Sequence, residues 1–161
     1  MFTVGILTIS DKGARGERED LSGREIQNII SSLDAEVVAY RIIPDERIII
    51  EETLRNWVDD QRIDLILTTG GTGIGPRDVT PEATKSVIER ELPGIAEAMR
   101  AAGLRKTPNA MLSRALAGTR RESLIVNLPG SPKAVRENLE AILQALPHAI
   151  DIIKGNVTEH S

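Results

Sequence analysis

Cysteine is absent from the 161 residues, which removes disulfides, thiolate metal sites and a thiol nucleophile together. The only histidines are His148 and His160, both near the end of the chain, so zinc chemistry and a Ser-His-Asp triad lack their parts. Aromatic residues number three, Phe2, Tyr40 and Trp57, and no basic run occurs in a chain of net charge −4. A basic face or a base-stacking platform for nucleic acid is therefore not expected. No apolar run approaches the roughly 18 residues of a membrane span, and no charged-then-apolar leader opens the chain. The expectation is a cytoplasmic protein with no membrane or nucleic-acid partner. Carboxylates, hydroxyls, Lys, Arg and backbone amides remain for chemistry. That set suits Mg²⁺-assisted phosphoryl or nucleotidyl transfer, where positioning and charge neutralisation do most of the catalysis.

What the chain does have is four of its 13 glycines within six residues. In Asp64–Thr84, DLILTTGGTGIGPRDVTPEAT, a buried strand (Leu65, Ile66, Leu67) runs into a loop with glycines at 70, 71, 73 and 75. Those glycines are expected to take positive φ and to admit a ligand close to the backbone, as a phosphate or another flat anion requires. A dinucleotide fingerprint fails because Pro76 stands three residues after Gly73. A P-loop fails because Pro76 and Arg77 follow Gly75 in place of its Lys and hydroxyl. Thr80 reads as the cap of the next helix, with Pro81 in its first turn and Glu82 at its positive end.

The rest of the chain alternates strand and helix. Residues 3–10 read as an interior strand, ending in Ser10, Asp11 and a polar run to Ser22 that is longer than the usual 2 to about 6 residues of such a connection. A helix from Ser22 carries Ile26, Ile29, Ile30 and Leu33 on one stripe. Val37–Ile43 is a second strand, closed by Pro44, Asp45 and Glu46. Asp45 is read either as a cap or as a functional acid. A helix with Ile50, Leu54, Trp57 and Val58 on one face follows. Helices are expected over about 81–91 and 93–102, with Gly103 as the residue after the second, and then an irregular stretch to Arg114. A weak strand at about 115–120 and a firm one at 123–128 lead through Pro129 and Gly130 into a helix capped by Ser131 with Pro132 first. Pro147 should break or kink that helix, and the tail should fray from about 155.

This pattern predicts one domain over residues 1–161, a three-layer α/β/α fold with a mainly parallel sheet. Parallel strands put their carboxyl ends on one edge. Asp11, Asp45, the Gly70–Asp78 loop and Gly130 all follow strands, so they should face one cleft. Asp11, Asp45 and Asp78 offer hard oxygen ligands on separate loops, which suits Mg²⁺ held by one or two carboxylates and substrate phosphates.

SDKG at 10–13, PDE at 44–46, TGGTG at 69–73 followed by RDVTPEAT, and NLPGSPKA at 127–134 together resemble the MogA/MoaB family of molybdenum-cofactor synthesis, over roughly residues 3–155. The resemblance implies a Mg²⁺-dependent transfer of AMP from ATP to the terminal phosphate of molybdopterin, releasing pyrophosphate. Matched by motif, Asp45 and Asp78 are its catalytic acids and the expected metal ligands. Ser113 in MLSR looks like a hydroxyl that contacts or positions the substrate phosphate, and Arg114 and Arg77 are candidates for neutralising it. Ser10, Asp11, Thr69, Gly70, Gly71, Thr72, Gly73, Pro129, Gly130 and Ser131 complete the expected binding set, Asp11 as an orienting residue. Which loop takes pterin and which takes nucleotide stays open. A molybdopterin-binding module without turnover, or a transferase using another nucleotide, is the alternative. The family likeness also implies a homotrimer or a larger homo-oligomer, for which the sequence has no heptad or other association signal.

Overall fold

In the computed structural model, which describes residues 1–157, every residue of β1 (Phe2–Ile9) except Thr3 is buried, as befits a strand inside a sheet. It pairs in parallel with β2 (Ala35–Ile43) on one side and β3 (Leu65–Thr69) on the other. β3 in turn pairs in parallel with β6 (Ser123–Leu128). β5 (Ala117–Arg120) adds to β6 as an antiparallel hairpin, and β4 (Arg90–Glu91) closes the edge, giving the order β2-β1-β3-β6-β5-β4.

Alternation along the central strands sends side chains to opposite faces, and each face is covered by helices. Val4 and Ile6, Leu65 and Leu67, and Leu124 and Val126 pack with Ile26 and Ile30 of α2 (Leu21–Ile30), Met99 of α5 (Pro93–Leu104), Leu139 of α6 (Pro132–Ile142) and Ile150 of α7 (Leu146–Ile153). Leu7, Ile9, Ile66 and Ile125 pack on the other face with Ile50 and Leu54 of α3 (Arg47–Arg55), the following Trp57 and Val58, and Ala83 and Val87 of α4 (Thr80–Val87). The three-layer, mostly parallel architecture is the expected one. A short α1 (Asp11–Ala14) sits at the end of β1.

Several local expectations change. Thr80 is not the cap of α4: Val79 holds that position, and the Thr80 hydroxyl instead donates to the Gly70 carbonyl at 2.9 Å. α4 stops at Val87 because Arg90 and Glu91 are recruited as β4 opposite Thr119 and Gly118. Gly103 lies within α5, where a Cβ would stand 2.8 Å from that of Ala110. It serves close packing, not helix termination. Asp20 caps α2 with a side-chain bond from the Gly23 amide at 3.0 Å, ahead of the helix start expected at Ser22. The break expected at Pro147 falls before it: α6 ends at Ile142, and Pro147 lies in the first turn of α7, where its missing N–H costs nothing. Of the tail expected to fray from about 155, residues 158–161, His160 among them, lie outside the described residues. Among the described residues no helix is long and apolar enough to cross a membrane.

One buried polar side chain joins the layers behind the site. Asn127 of β6 donates from Nδ2 to the hydroxyls of Thr68 and Thr84, both at 3.0 Å, and its Oδ1 accepts from the Leu116 amide at 3.3 Å. All three side chains are fully buried, so Asn127→Leu strands the Leu116 amide and frees two hydroxyls. Urea unfolding should show a loss of about 2 kcal/mol or more, given ~1–3 kcal/mol for each buried group left unsatisfied. A loss under ~0.5 kcal/mol would mean that the network contributes little.

Candidate active site

The four parallel strands end level. The Ser10 amide donates to the Ile43 carbonyl at 2.8 Å and the Gly70 amide to the Leu128 carbonyl at 3.1 Å, so the loops after β1, β2, β3 and β6 start from one line. Between them lies a cleft of about 590 Å³. It straddles β1 and β3, where chain order reverses direction across the sheet, the position at which α/β sheets bind ligands.

The loops are fastened to one another by acids. Asp11 and Asp45 exchange bonds: the Asp11 amide donates to Asp45 Oδ2 and the Asp45 amide to Asp11 Oδ1, each at 2.9 Å. Arg77, from the glycine loop, adds two bonds of 3.1 Å to the Asp11 carboxylate and one of 2.9 Å to Glu46. Asp11 is consequently held below the ordinary carboxylate pKa, first by Arg77 and then by the Asp45 amide. Asp45 moves the other way. Burial raises its pKa, the negative charges of Asp11 and Asp78 add to this, and the bond from the Asp11 amide only partly offsets it. Asp45 makes no cap for α3, whose N-cap position is Glu46.

In the glycine loop, only Gly70 and Gly71 take positive φ, at 100° and 69°. Space is as tight as the backbone is strained, because a Cβ on Gly70 would stand 2.3 Å from the Ile9 carbonyl oxygen. Gly73 and Gly75, expected to need the same conformation, do not adopt it. Instead they make room for Asp78: a Cβ on either would lie about 3 Å from Asp78 Oδ2, which accepts the Gly75 amide at 2.9 Å. Across the cleft, Ser131 caps α6 by accepting the Ala134 amide at 3.2 Å, and the Thr69 hydroxyl donates to the Pro129 carbonyl at 2.6 Å.

Of the residues singled out in the sequence, Ser10, Asp45, Thr69, Gly70, Gly71, Asp78, Gly130 and Ser131 line this cleft. Asp11, Thr72, Gly73, Ser113, Arg114 and Pro129 do not, though all but Ser113 are bonded to lining loops by the contacts above or through Arg114. The Ser113 hydroxyl accepts the Ala115 amide at 3.3 Å. Arg18, Glu19, Asp20, Leu21 and Ser22 form one wall, at the end of the long connection whose length suggests an active-site role or mobility, although none of them is individually a candidate by sequence. Asp20 is fixed there by the hydroxyls of Thr8, at 2.8 Å, and Tyr40, whose pKa burial and Asp20 drive upward.

Charged groups lining the cleft are Arg18 against Glu19, Asp20, Asp45 and Asp78. An anionic ligand entering there needs a cation, and the donors are the hard oxygens that Mg²⁺ prefers. Among the described residues no three acidic side chains gather into a closed metal site. The set therefore suits a cation taking one or two carboxylates and completing its shell from substrate and water.

The model of the family described as "Probable molybdopterin binding domain" matches residues 5–148. A molybdopterin adenylyltransferase of Helicobacter pylori (strain J99) is 48% identical over 155 residues, 95% of this chain and 88% of the relative. The Escherichia coli (strain K12) protein of that name is 42% identical over 159 residues, 98% and 77% of the two chains. Among solved structures, the molybdopterin biosynthesis enzyme MoaB of Thermus thermophilus superposes with a TM-score of 0.92 at 56% identity, covering 96% of this chain and 98% of that one.

The burial of Asp45 sets a test of sign. A carboxyl whose pKa is raised by folding favours the fold while protonated and loses that contribution as pH rises from its unfolded value, about 3.9, through its folded one. Asp45→Asn keeps an acceptor for the Asp11 amide without the charge. At pH 7 and without divalent cations its melting temperature should equal or exceed that of the parent, the difference vanishing below about pH 4. A variant less stable at pH 7 than at pH 4, relative to the parent, would contradict the assignment.

Proposed function

The chain belongs to the molybdopterin-binding domain family of molybdenum-cofactor biosynthesis, and from that premise we propose that it is a molybdopterin adenylyltransferase whose reaction runs in the cleft between β1 and β3. The observation that carries the assignment to this cleft is that Asp45 and Asp78, from separate loops, line it together with Gly70 and Gly71.

An oxygen of the terminal phosphate of molybdopterin attacks the α-phosphorus of ATP. The bond to the bridging oxygen of the β-phosphate breaks, and pyrophosphate leaves with the electron pair. The phosphate nucleophile is already ionised, so no general base is required. The protein's tasks are to bring two anions together and to offset the charge at the transferring phosphorus. Asp45 and Asp78 would hold Mg²⁺, which when bound neutralises the phosphate oxygens and orients them. Asp11 positions Asp45 through the exchanged amide bonds. Thr69, Gly70 and Gly71 present backbone close to the ligand, and the N-terminus of α6, at Gly130 and Ser131, offers amides to an anion. Ser10 is placed at the N-terminus of α1, and Ser113 is assigned, on family likeness, to the substrate phosphate. The 1–161 chain acts as one domain in the cytoplasm, and assembles as a trimer or a larger homo-oligomer.

Incubation with ATP, Mg²⁺ and molybdopterin should release pyrophosphate. No release from folded protein, combined with calorimetric uptake of molybdopterin that ignores ATP, would favour a binding module instead. Asp78→Asn should retain the fold and lower turnover by at least about a hundredfold, ~2.7 kcal/mol in barrier. A change within about twofold, in this variant and in Asp45→Asn alike, would remove the acids from the mechanism. Light scattering should give a multiple of the chain mass, 17.5 kDa. A monomer at micromolar concentration refutes the assembly.

A further inference from the structure

Arg114 is a candidate phosphate ligand by its charge, yet it does not line the cleft, and each of its three guanidinium nitrogens donates to a group inside the protein. Its backbone amide donates to the Thr72 carbonyl at 2.8 Å. From its side chain, Nε donates to the Gly73 carbonyl at 2.7 Å, Nη2 to the Asp78 carbonyl at 2.8 Å and Nη1 to the Glu82 carboxylate. One residue thus grips the glycine loop on both sides of the exposed turn at Ile74–Arg77 and ties it to the first turn of α4. Its own backbone is held in turn: Arg100 of α5 donates from Nη1 to the carbonyls of Ser113, at 3.1 Å, and Ala115, at 2.9 Å. Only a planar fork with several N–H groups can reach acceptors on Gly73, Asp78 and Glu82 together; a lysine ammonium is a single point on a flexible stem.

We propose that Arg114 is the positioning residue of the Asp78 loop, fixing where the Asp78 carboxylate stands at the cleft without touching substrate. The inference deepens the reading of Asp78 given above and rests on it for its effect on turnover, though not for its effect on the loop. Because Ser113 and Arg114 are adjacent, the clamp also sets the spacing between the Ser113 segment and Asp78. A residue acting this way alters the rate of the bound complex and the demand for metal. A direct phosphate ligand would alter substrate affinity.

Arg114→Lys in the full chain tests the point by two independent readings. In hydrogen exchange, the amides of Gly75, Asp78 and Thr80 should exchange at least tenfold faster than in the parent, with β1, β3 and β6 unchanged. In pyrophosphate release, kcat should fall at least tenfold and half-maximal Mg²⁺ should rise at least threefold, while KM for molybdopterin and for ATP stays within threefold. Unchanged loop exchange overturns the proposal whatever the activity, and so does a raised KM with kcat intact. Accelerated loop exchange in a protein whose parent form releases no pyrophosphate would leave the clamp standing and refute the transferase. Should Arg114→Lys fail to fold, Glu82→Gln loosens the same guanidinium. It should raise exchange of those amides about threefold, and unchanged exchange there counts equally against the clamp.

Discussion

The common register of four parallel strands is the constraint on which the site depends. Thr8 of β1 lies opposite Thr69 of β3, and Thr69 opposite Leu128 of β6, while Ile9 lies opposite Ile43 of β2. Loops separated by tens of residues therefore leave the sheet at one height. A slip of one residue in any strand would exchange the side chains it sends to its two faces, and close packing on both faces of β3 and β6 makes that slip costly. Core packing thereby fixes the spacing of the loops that line the cleft.

On that platform the site is held together by polar bonds between loops, and these carry electrostatic tension. Asp45 is partly buried, and the nearby charges of Asp11 and Asp78 raise its pKa further. The exchanged amide bonds and Arg77 hold Asp11 and Asp45 side by side without neutralising Asp45. Such a residual cost is what a cation would relieve, which is why a stabilising substitution at Asp45 and a loss of activity are expected from one change. Arg77 and Arg114 tie the same loop to different neighbours. The first faces the β1 and β2 loops, and the second faces the Ser113 segment.

What the sequence by itself determined was what periodicity and composition can carry. The apolar stripes at Ile26–Ile30 and Ile50–Leu54, the interior strands, and the Ser131–Pro132 helix start depend on neighbours a few residues apart and are present in the fold, whereas α2 ends at Ile30, before Leu33, and α3 at Arg55, before Trp57 and Val58. The acids and glycines that follow strands were legible for the same reason, since a parallel sheet must bring such loops to one edge. Tertiary structure alone decided how each polar group is used. Thr80 bonds the Gly70 carbonyl instead of capping its helix, Asp45 receives the Asp11 amide, and Arg114 binds Gly73, Asp78 and Glu82. β4 exists only because β5 offers an edge to Arg90 and Glu91. The partners of Thr80, Asp45 and Arg114 named here lie up to 41 residues away in the chain. Hydrogen-bonding capacity is a property of a residue, but the partner that consumes it is set by the packing that brings two distant segments within about 3 Å.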